Sequence, residues 1–420
     1  MGGSDRGTTV DVGIVVNRFP VLSESFIVRL VESLGRSGGG ITVYALEGVD
    51  LELLGKLSPS LMTMLQQGEL TLVHPGNFRG TSRRLFAARV VWALRVLVES
   101  PVSTFALLRD GVKFRHILGA SLLKRMLGSK RHDILHAQFL TVAVSSLLAM
   151  RGASAPTPVV SYVRGYDIAR RSAVSDAEVR ILAGENGLAA VCCVSRSLAK
   201  RCVERGFSES LVEVIVAGIP IEHFNFVPPS KRAADTIRFV QVGRLIEKKG
   251  YDLSLRMLSQ LPRGKFFLDI VGEGPLYSEL SNMAAALGVA EFVRFNGGLK
   301  HADTIDTIAR ANVMLIPSKE GRDGDSEGIP NVLKEAMAMG VICVGSDHSG
   351  IPELLQDGQT GYVFREDDEA DFLVTVVRAV KLIEEWDSVA SRARELVFSK
   401  FDSVKVAARV REFYARRSFE

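Results

Sequence analysis

Apolar and polar positions along the chain fall into short β-branched runs separated by longer stretches with a helical period. That is the pattern of βαβ units building parallel sheets. In the first half the runs at residues 10–16, 41–46, 70–73, 134–137, 159–163, 190–194 and 212–216 predict strands, with helices over 24–34 and 197–205 among them. The uncharged stretch 137–150 is too short to span a membrane and carries Gln138, Thr141, Ser145 and Ser146, so it predicts a buried helix. Residues 217–235 contain Pro220, Pro228 and Pro229 without a sustained period and predict an interdomain linker. The alternation then restarts, with strands predicted at 237–242, 266–271, 292–295, 313–316, 341–345 and 362–364 and helices at 252–261, 276–287, 302–310, 330–339 and 370–385.

The pattern therefore predicts an α/β protein of two Rossmann-like domains, 1–220 and 221–400, with a terminal helix over 401–420 that packs back on the first domain. A length of 420 residues agrees, at roughly 150 residues per domain. Open sheets of this kind bind ligands in the crevice outside the carboxyl ends of their strands, so the parallel sheets are expected to face each other across a cleft that gathers the functional residues.

Composition changes this picture little. With 47% hydrophobic and 24% charged residues the chain is an ordinary globular protein rather than a disordered one. The N-terminus lacks the apolar core of an export signal, which points to the cytoplasm. The four cysteines have no zinc-site spacing and are expected as reduced thiols. A net charge of +4 gives no case for a nucleic-acid partner. One segment stands apart: residues 79–132 hold twelve Lys and Arg against Glu99 and Asp110, a balance of +10, interleaved with Phe86, Trp92, Phe105 and Phe114. Cations mixed with aromatic residues fit an anionic membrane surface, which predicts a peripheral position at the inner face of the plasma membrane, ahead of a solvated helical face or an RNA-binding patch.

The candidate chemistry sits in the second half. Gly243, Arg244, Lys249 and Gly250 follow directly on the strand 237–242; such a turn can hold phosphate through backbone amides and charge-assisted bonds, or be solvated surface. Gly272 and Gly274 follow the next strand, but Tyr277 occupies the sixth position of a dinucleotide fingerprint, which argues against a nicotinamide enzyme. Glu327, Gly328, Ile329, Pro330, Asn331 and Val332 lead into a helix that Pro330 suits at its first turn, and its unpaired amides can receive a diphosphate. Glu335 lies one turn beyond Asn331 on the same face. Asp323-Gly324-Asp325 has the form of a metal-binding pair, yet beside Glu320 and Arg322 it reads as an acidic solvated turn, so no metal and no other cofactor is expected.

The ordered set Gly243-Arg244-Leu245 to Lys249-Gly250, Gly272-Glu273-Gly274-Pro275-Leu276, Glu327-Gly328 to Glu335-Ala336, Ser349-Gly350-Ile351-Pro352-Glu353 and Gly358 to Gly361 closely resembles glycosyltransferase family 4, retaining enzymes of the GT-B fold. In the first half, Phe19-Pro20-Val21-Leu22-Ser23-Glu24-Ser25-Phe26-Ile27 resembles the branch that builds bacterial exopolysaccharides of the colanic acid and amylovoran type. Residues 133–139 and Arg164-Gly165-Tyr166-Asp167 fall where that branch has strand-end motifs, with Arg164 where many members have His.

The resemblance implies transfer of a hexose from a nucleotide-diphosphate sugar to a lipid-linked or glycan acceptor. Arg244 and Lys249 would neutralise the departing diphosphate, Glu335 would bind the ribose, Glu327 the transferred sugar, and the backbone around Ile329 to Val332 the sugar and phosphates. Ser23, Glu24, His136, Arg164 and Asp167 are the acceptor-side candidates, His136 and Asp167 also as catalytic ones. The competing readings are a sugar-nucleotide epimerase or phosphorylase on the same scaffold, or a non-catalytic sugar-nucleotide-binding module.

Overall fold

A computed structural model describes residues 10–36, 40–75, 101–169, 172–232, 236–322, 324, 326 and 328–418. It divides into two compact units. The first comprises the described residues of Met1–Val194, Leu198–Gly218 and Ser403–Glu420; the second comprises those of Ser195–Ser197 and Ile219–Asp402.

The first unit is built on a seven-stranded parallel sheet in the order β3-β2-β1-β4-β5-β6-β7. Its strands are β1 (Val12–Phe19), β2 (Ile41–Val49), β3 (Leu70–Val73), β4 (Ile134–Ala137), β5 (Val159–Val163), β6 (Ala190–Cys193) and β7 (Val212–Val214). β4, β5 and β6 are buried throughout, as expected of central strands covered by helices on both faces. The helix Leu140–Met150 is buried almost all round. The terminal helix Ser403–Ser418 buries Val406, Val410, Phe413 and Tyr414 within the core of this unit, and Arg411 donates to the carbonyl of Leu34.

The second unit holds a six-stranded parallel sheet in the order β10-β9-β8-β11-β12-β13. These are β8 (Ile237–Val242), β9 (Phe266–Val271), β10 (Val293–Phe295), β11 (Val313–Ile316), β12 (Ile342–Ser346) and β13 (Tyr362–Phe364). The strand order reverses between β8 and β11, so the loops leaving their carboxyl ends splay apart there and open a crevice.

The division between the units falls within the predicted linker 217–235, at Gly218 and Ile219. Its described residues are packed rather than loose: Ile221 and Phe224 are buried, and Arg232 donates to the carbonyls of Met339 at 2.6 Å and Gly340 at 2.7 Å. A guanidinium is favoured there because the end of a helix leaves carbonyls unpaired and carries negative partial charge. The helix predicted over 370–385 ends sooner, as Glu369–Lys381, and a further helix that was not predicted, Trp386–Lys400, follows it, with Trp386 Nε1 donating to the Ala379 carbonyl at 2.8 Å. All four cysteines are free and buried.

Candidate functional site

The crevice of the second unit is lined by backbone. After β8 the chain turns through Gly243, at φ 149°, and Gly250, at φ 64°, conformations that L side chains rarely adopt. Tyr251 Oη donates to the Gly243 carbonyl at 2.7 Å and Gln241 Nε2 to that of Lys249 at 2.7 Å, so the two ends of the turn are fixed. A Cβ on Gly243 would lie 3.1 Å from Lys249 Cε, which places the lysine stem across that peptide. Arg244 is exposed on the same turn and makes no ion pair or side-chain hydrogen bond among the described residues.

Glycines let the neighbouring loops close on this turn. A Cβ on Gly250 would meet the Pro317 carbonyl oxygen at 1.9 Å, one on Gly272 that of Gly243 at 1.8 Å, and one on Gly274 that of Leu245 at 2.4 Å. The Lys319 amide also donates to Lys248 O at 2.9 Å, so the turn after β8 is pinned to the loop after β11.

That second loop leads to the helix Asn331–Met339, whose N-cap is Pro330. It has no side-chain cap and no acidic residue in its first turn. Its leading amides and positive dipole end take no side-chain cap from its N-cap residue. Gly350 backs the entry to this helix, since a Cβ there would lie 2.8 Å from Gly328 O and 2.9 Å from Ile329 Cγ1. Glu335 is buried, 3% exposed at its side chain, and accepts from or pairs with His301 Nε2 at 3.2 Å. Glu327, Asp323 and Asp325 lie outside the described residues.

Beside the glycine turns is an open cavity of about 490 Å³ lined by Gly272, Gly274, Tyr277, Phe295, Asn296 and Gly297, among others. Tyr277 and Phe295 meet edge to face at 5.5 Å. His301, Phe295 and Asn296 had no motif to announce them. The available signal was position alone, at the end of β10 beside the Gly-x-Gly turn.

The strand ends of the first unit are different. His136 is 1% exposed; its Nδ1 shares a hydrogen bond with Tyr414 Oη, and its ring lies 4.7 Å from that of Tyr162. Burial, then the charge of Arg164, pulls the imidazole down to about 3, so it is neutral and enclosed rather than offered to a substrate. Asp167 is also 1% exposed and accepts from the amides of Leu140 at 2.9 Å and Arg164 at 3.1 Å. Burial raises its carboxyl and these bonds oppose the rise. As placed, neither side chain faces solvent as a catalytic group would.

Arg164 is half-buried between the rings of Phe26 and Tyr162, with Nη2 donating to Gln138 Oε1 at 3.0 Å. Burial lowers it to about 10, still cationic at neutral pH. Glu24 is half-buried, its carboxyl raised by burial and lowered by Arg164. The side chain of Ser23 lies outside the described residues. Of the basic segment, residues 76–100 lie outside the described residues. In its described part Arg109, Lys124, Arg125 and Arg131 are exposed, as are Val102 and Phe105.

Two parallel-sheet Rossmann-like units, one with a glycine-lined crevice at its switch point, define the GT-B architecture. Solved structures agree on the fold. Anabaena HepE in complex with UDP superposes with a TM-score of 0.70 at 18% identity, covering 97% of this chain and 100% of that one. A glycosyltransferase from Rickettsia africae gives 0.71 at 14% identity, covering 98% and 99%. The family profiles "Glycosyltransferase Family 4" and "Glycosyl transferases group 1" match residues 23–223 and 224–395. The chain belongs to glycosyltransferase family 4. Its relatives include WcaL of Escherichia coli K12, named for colanic acid biosynthesis, at 25% identity over 93% of this chain and 96% of WcaL. The amylovoran biosynthesis glycosyltransferase AmsK of Erwinia amylovora is 25% identical over 92% and 94%. A GDP-mannose-dependent phosphatidylinositol monomannoside mannosyltransferase of Mycolicibacterium smegmatis is 30% identical over 61% and 69%.

Proposed function

We propose that this glycosyltransferase moves a hexose, with retention of configuration and without a metal, from a nucleotide-diphosphate sugar to a lipid-linked or glycan acceptor in exopolysaccharide synthesis. The observation that carries the reading is the crevice between β8 and β11: the turn bearing Arg244 and Lys249 is pinned through Gly250 to the loop that ends at the uncapped helix Asn331–Met339. Fixed cations and aligned amides there would stabilise the charge that develops on the departing diphosphate, and stabilisation of that kind does more for the rate than anything else such a site can offer. Glu335 would take the ribose hydroxyls, Glu327 the transferred sugar, and the open cavity beside Tyr277 the base. The burial of His136 and Asp167 agrees with front-face attack in which the leaving phosphate takes the acceptor proton, with those two residues positioning the acceptor side of the fold. The names of WcaL and AmsK support exopolysaccharide synthesis.

The test is nucleotide release from a panel of UDP and GDP sugars, which an epimerase or a pure binder does not give. Arg244→Ala and Lys249→Ala should each lower turnover by about 2 to 4 kcal/mol of transition-state stabilisation, with the melting temperature little changed. Transfer should survive chelator; loss restored by manganese would overturn metal independence and implicate Asp323 and Asp325.

No described helix is long and apolar enough to cross a membrane. A cytoplasmic position, docked on anionic lipid, would bring the enzyme to lipid-linked acceptors. Exposed Lys124 and Arg125, near exposed Val102 and Phe105 in sequence, support it. Sedimentation with anionic vesicles should fall at high salt and in the double Glu variant of Lys124 and Arg125; equal binding to neutral vesicles would refute it.

A further inference from the structure

Glu335, the proposed ribose ligand, sits on the second turn of the helix Asn331–Met339 with only 3% of its side chain exposed. A carboxylate withdrawn this far from water keeps its charge only where hydrogen bonds support it. One such bond comes from outside its own helix. Oε1 lies 3.2 Å from Nε2 of His301, the first residue of the helix His301–Ala309. An ionised carboxylate can only accept, so in this pair Nε2 carries the proton.

Packing does not call for an imidazole at that place. The His301 side chain is 56% exposed and fills little space between the two helices. A pair with one partner largely in water adds little to stability, so the effect of the contact falls on the carboxylate. Its place in the chain points the same way. β10 ends at Phe295, Asn296 and Gly297 line the open cavity, and His301 follows four residues after Gly297. The segment that walls the cavity proposed for the base therefore also supplies a donor to the carboxylate proposed for the ribose. A ribose offers neighbouring 2′- and 3′-hydroxyls, and a carboxylate has about four lone-pair sites to receive them. The bond from His301 occupies one site on Oε1 and restrains a terminal torsion that is intrinsically broad.

We propose that His301 is a positioning residue for the donor: its bond to Oε1 orients Glu335 to receive the ribose hydroxyls, and so sets donor affinity. The proposal rests on the reading of Glu335 as the ribose ligand.

Calorimetric titration of the full chain with UDP, GDP and their 2′-deoxy forms tests it, on the wild type, His301→Ala, His301→Gln, Glu335→Gln and the double variant of His301→Ala with Glu335→Gln. The wild type should favour the ribo form of whichever base it binds more tightly. His301→Ala should weaken that form about tenfold and its 2′-deoxy form by about threefold or less. His301→Gln, whose amide reaches about as far as Nε2, should restore most of the loss. In the Glu335→Gln background, His301→Ala should change nothing further. Equal weakening of both forms in His301→Ala, an unaltered ratio between them, or a full effect of His301→Ala without the Glu335 carboxylate overturns the proposal. In each of those cases the ribose reading survives if Glu335→Gln alone abolishes the preference. A wild type that binds both forms equally, or neither nucleotide, overturns the ribose reading and the proposal with it. Should His301→Ala melt well below the wild type, His301→Ser takes its place in the same comparison.

Discussion

The two units share a doubly wound parallel sheet, yet they use the carboxyl ends of their strands in opposite ways. In the second unit the strand ends are glycines with backbone against backbone, an exposed Arg244 and a helix start with no side-chain cap from its N-cap residue Pro330. In the first they are His136, Gln138, Arg164 and Asp167, packed inward, with Asp167 capping the helix that begins at Leu140. Polar residues at a strand end are therefore no guide to a site until their partners are known. Glycines there are a better one, because a backbone that approaches another this closely leaves its amides for a ligand.

The contrast between the units breaks hardest at Gly272. Gly272→Ala sets a methyl group 1.8 Å from the Gly243 carbonyl at a φ of 143°, and should cost the second unit about 3 to 5 kcal/mol together with donor binding. Calorimetry should show a lowered transition for that unit while the first melts as before; a single unshifted transition would contradict the packing.

Acid should act on the first unit instead. Burial alone would raise Glu178, but hydrogen bonds from His116 and from the amides of Lys113 and Ser175 outweigh it and pull it down to about 2. A carboxylate depressed on folding stabilises fully above its unfolded value of 4.5 and loses that contribution as pH falls toward 2, about 3 kcal/mol in all. His136 adds to the same trend. With its folded value near 3 and its ordinary value at 6.5, the unfolded chain takes a proton between those pH values that the folded chain declines. Circular dichroism melts from pH 7 to 3 should show destabilisation that Glu178→Gln reduces; a pH-independent midpoint would refute it.

The smallest expected effect sharpens the phosphate turn. Tyr251→Phe removes the bond to the Gly243 carbonyl and should cost about 1 kcal/mol, with weaker nucleotide binding as its main sign.

Much of this was legible in the residues. Seven strands, at 70–73, 134–137, 159–163, 237–242, 266–271, 313–316 and 362–364, fall where the apolar runs stand; the central ones among them are buried on both faces and show it in composition. The glycine turns were legible because their job demands the residue type. The side-chain partners were not. That Tyr414, 278 positions away, would take the ring of His136, or that His301 would meet Glu335, depends on long-range packing that leaves no local period. The ordered run 219–232 was hidden by prolines that signal a loop equally well whether it is free or held by Arg232.

The central claim is that the crevice of the second unit, rather than the polar strand ends of the first, holds the nucleotide diphosphate. Hydrogen exchange of the full chain with and without saturating UDP and GDP tests it directly. Protection by at least one of them at residues 243–250 and 328–335, with 134–139 and 164–167 unchanged, is the predicted result, and protection confined to the first unit's strand ends would contradict it.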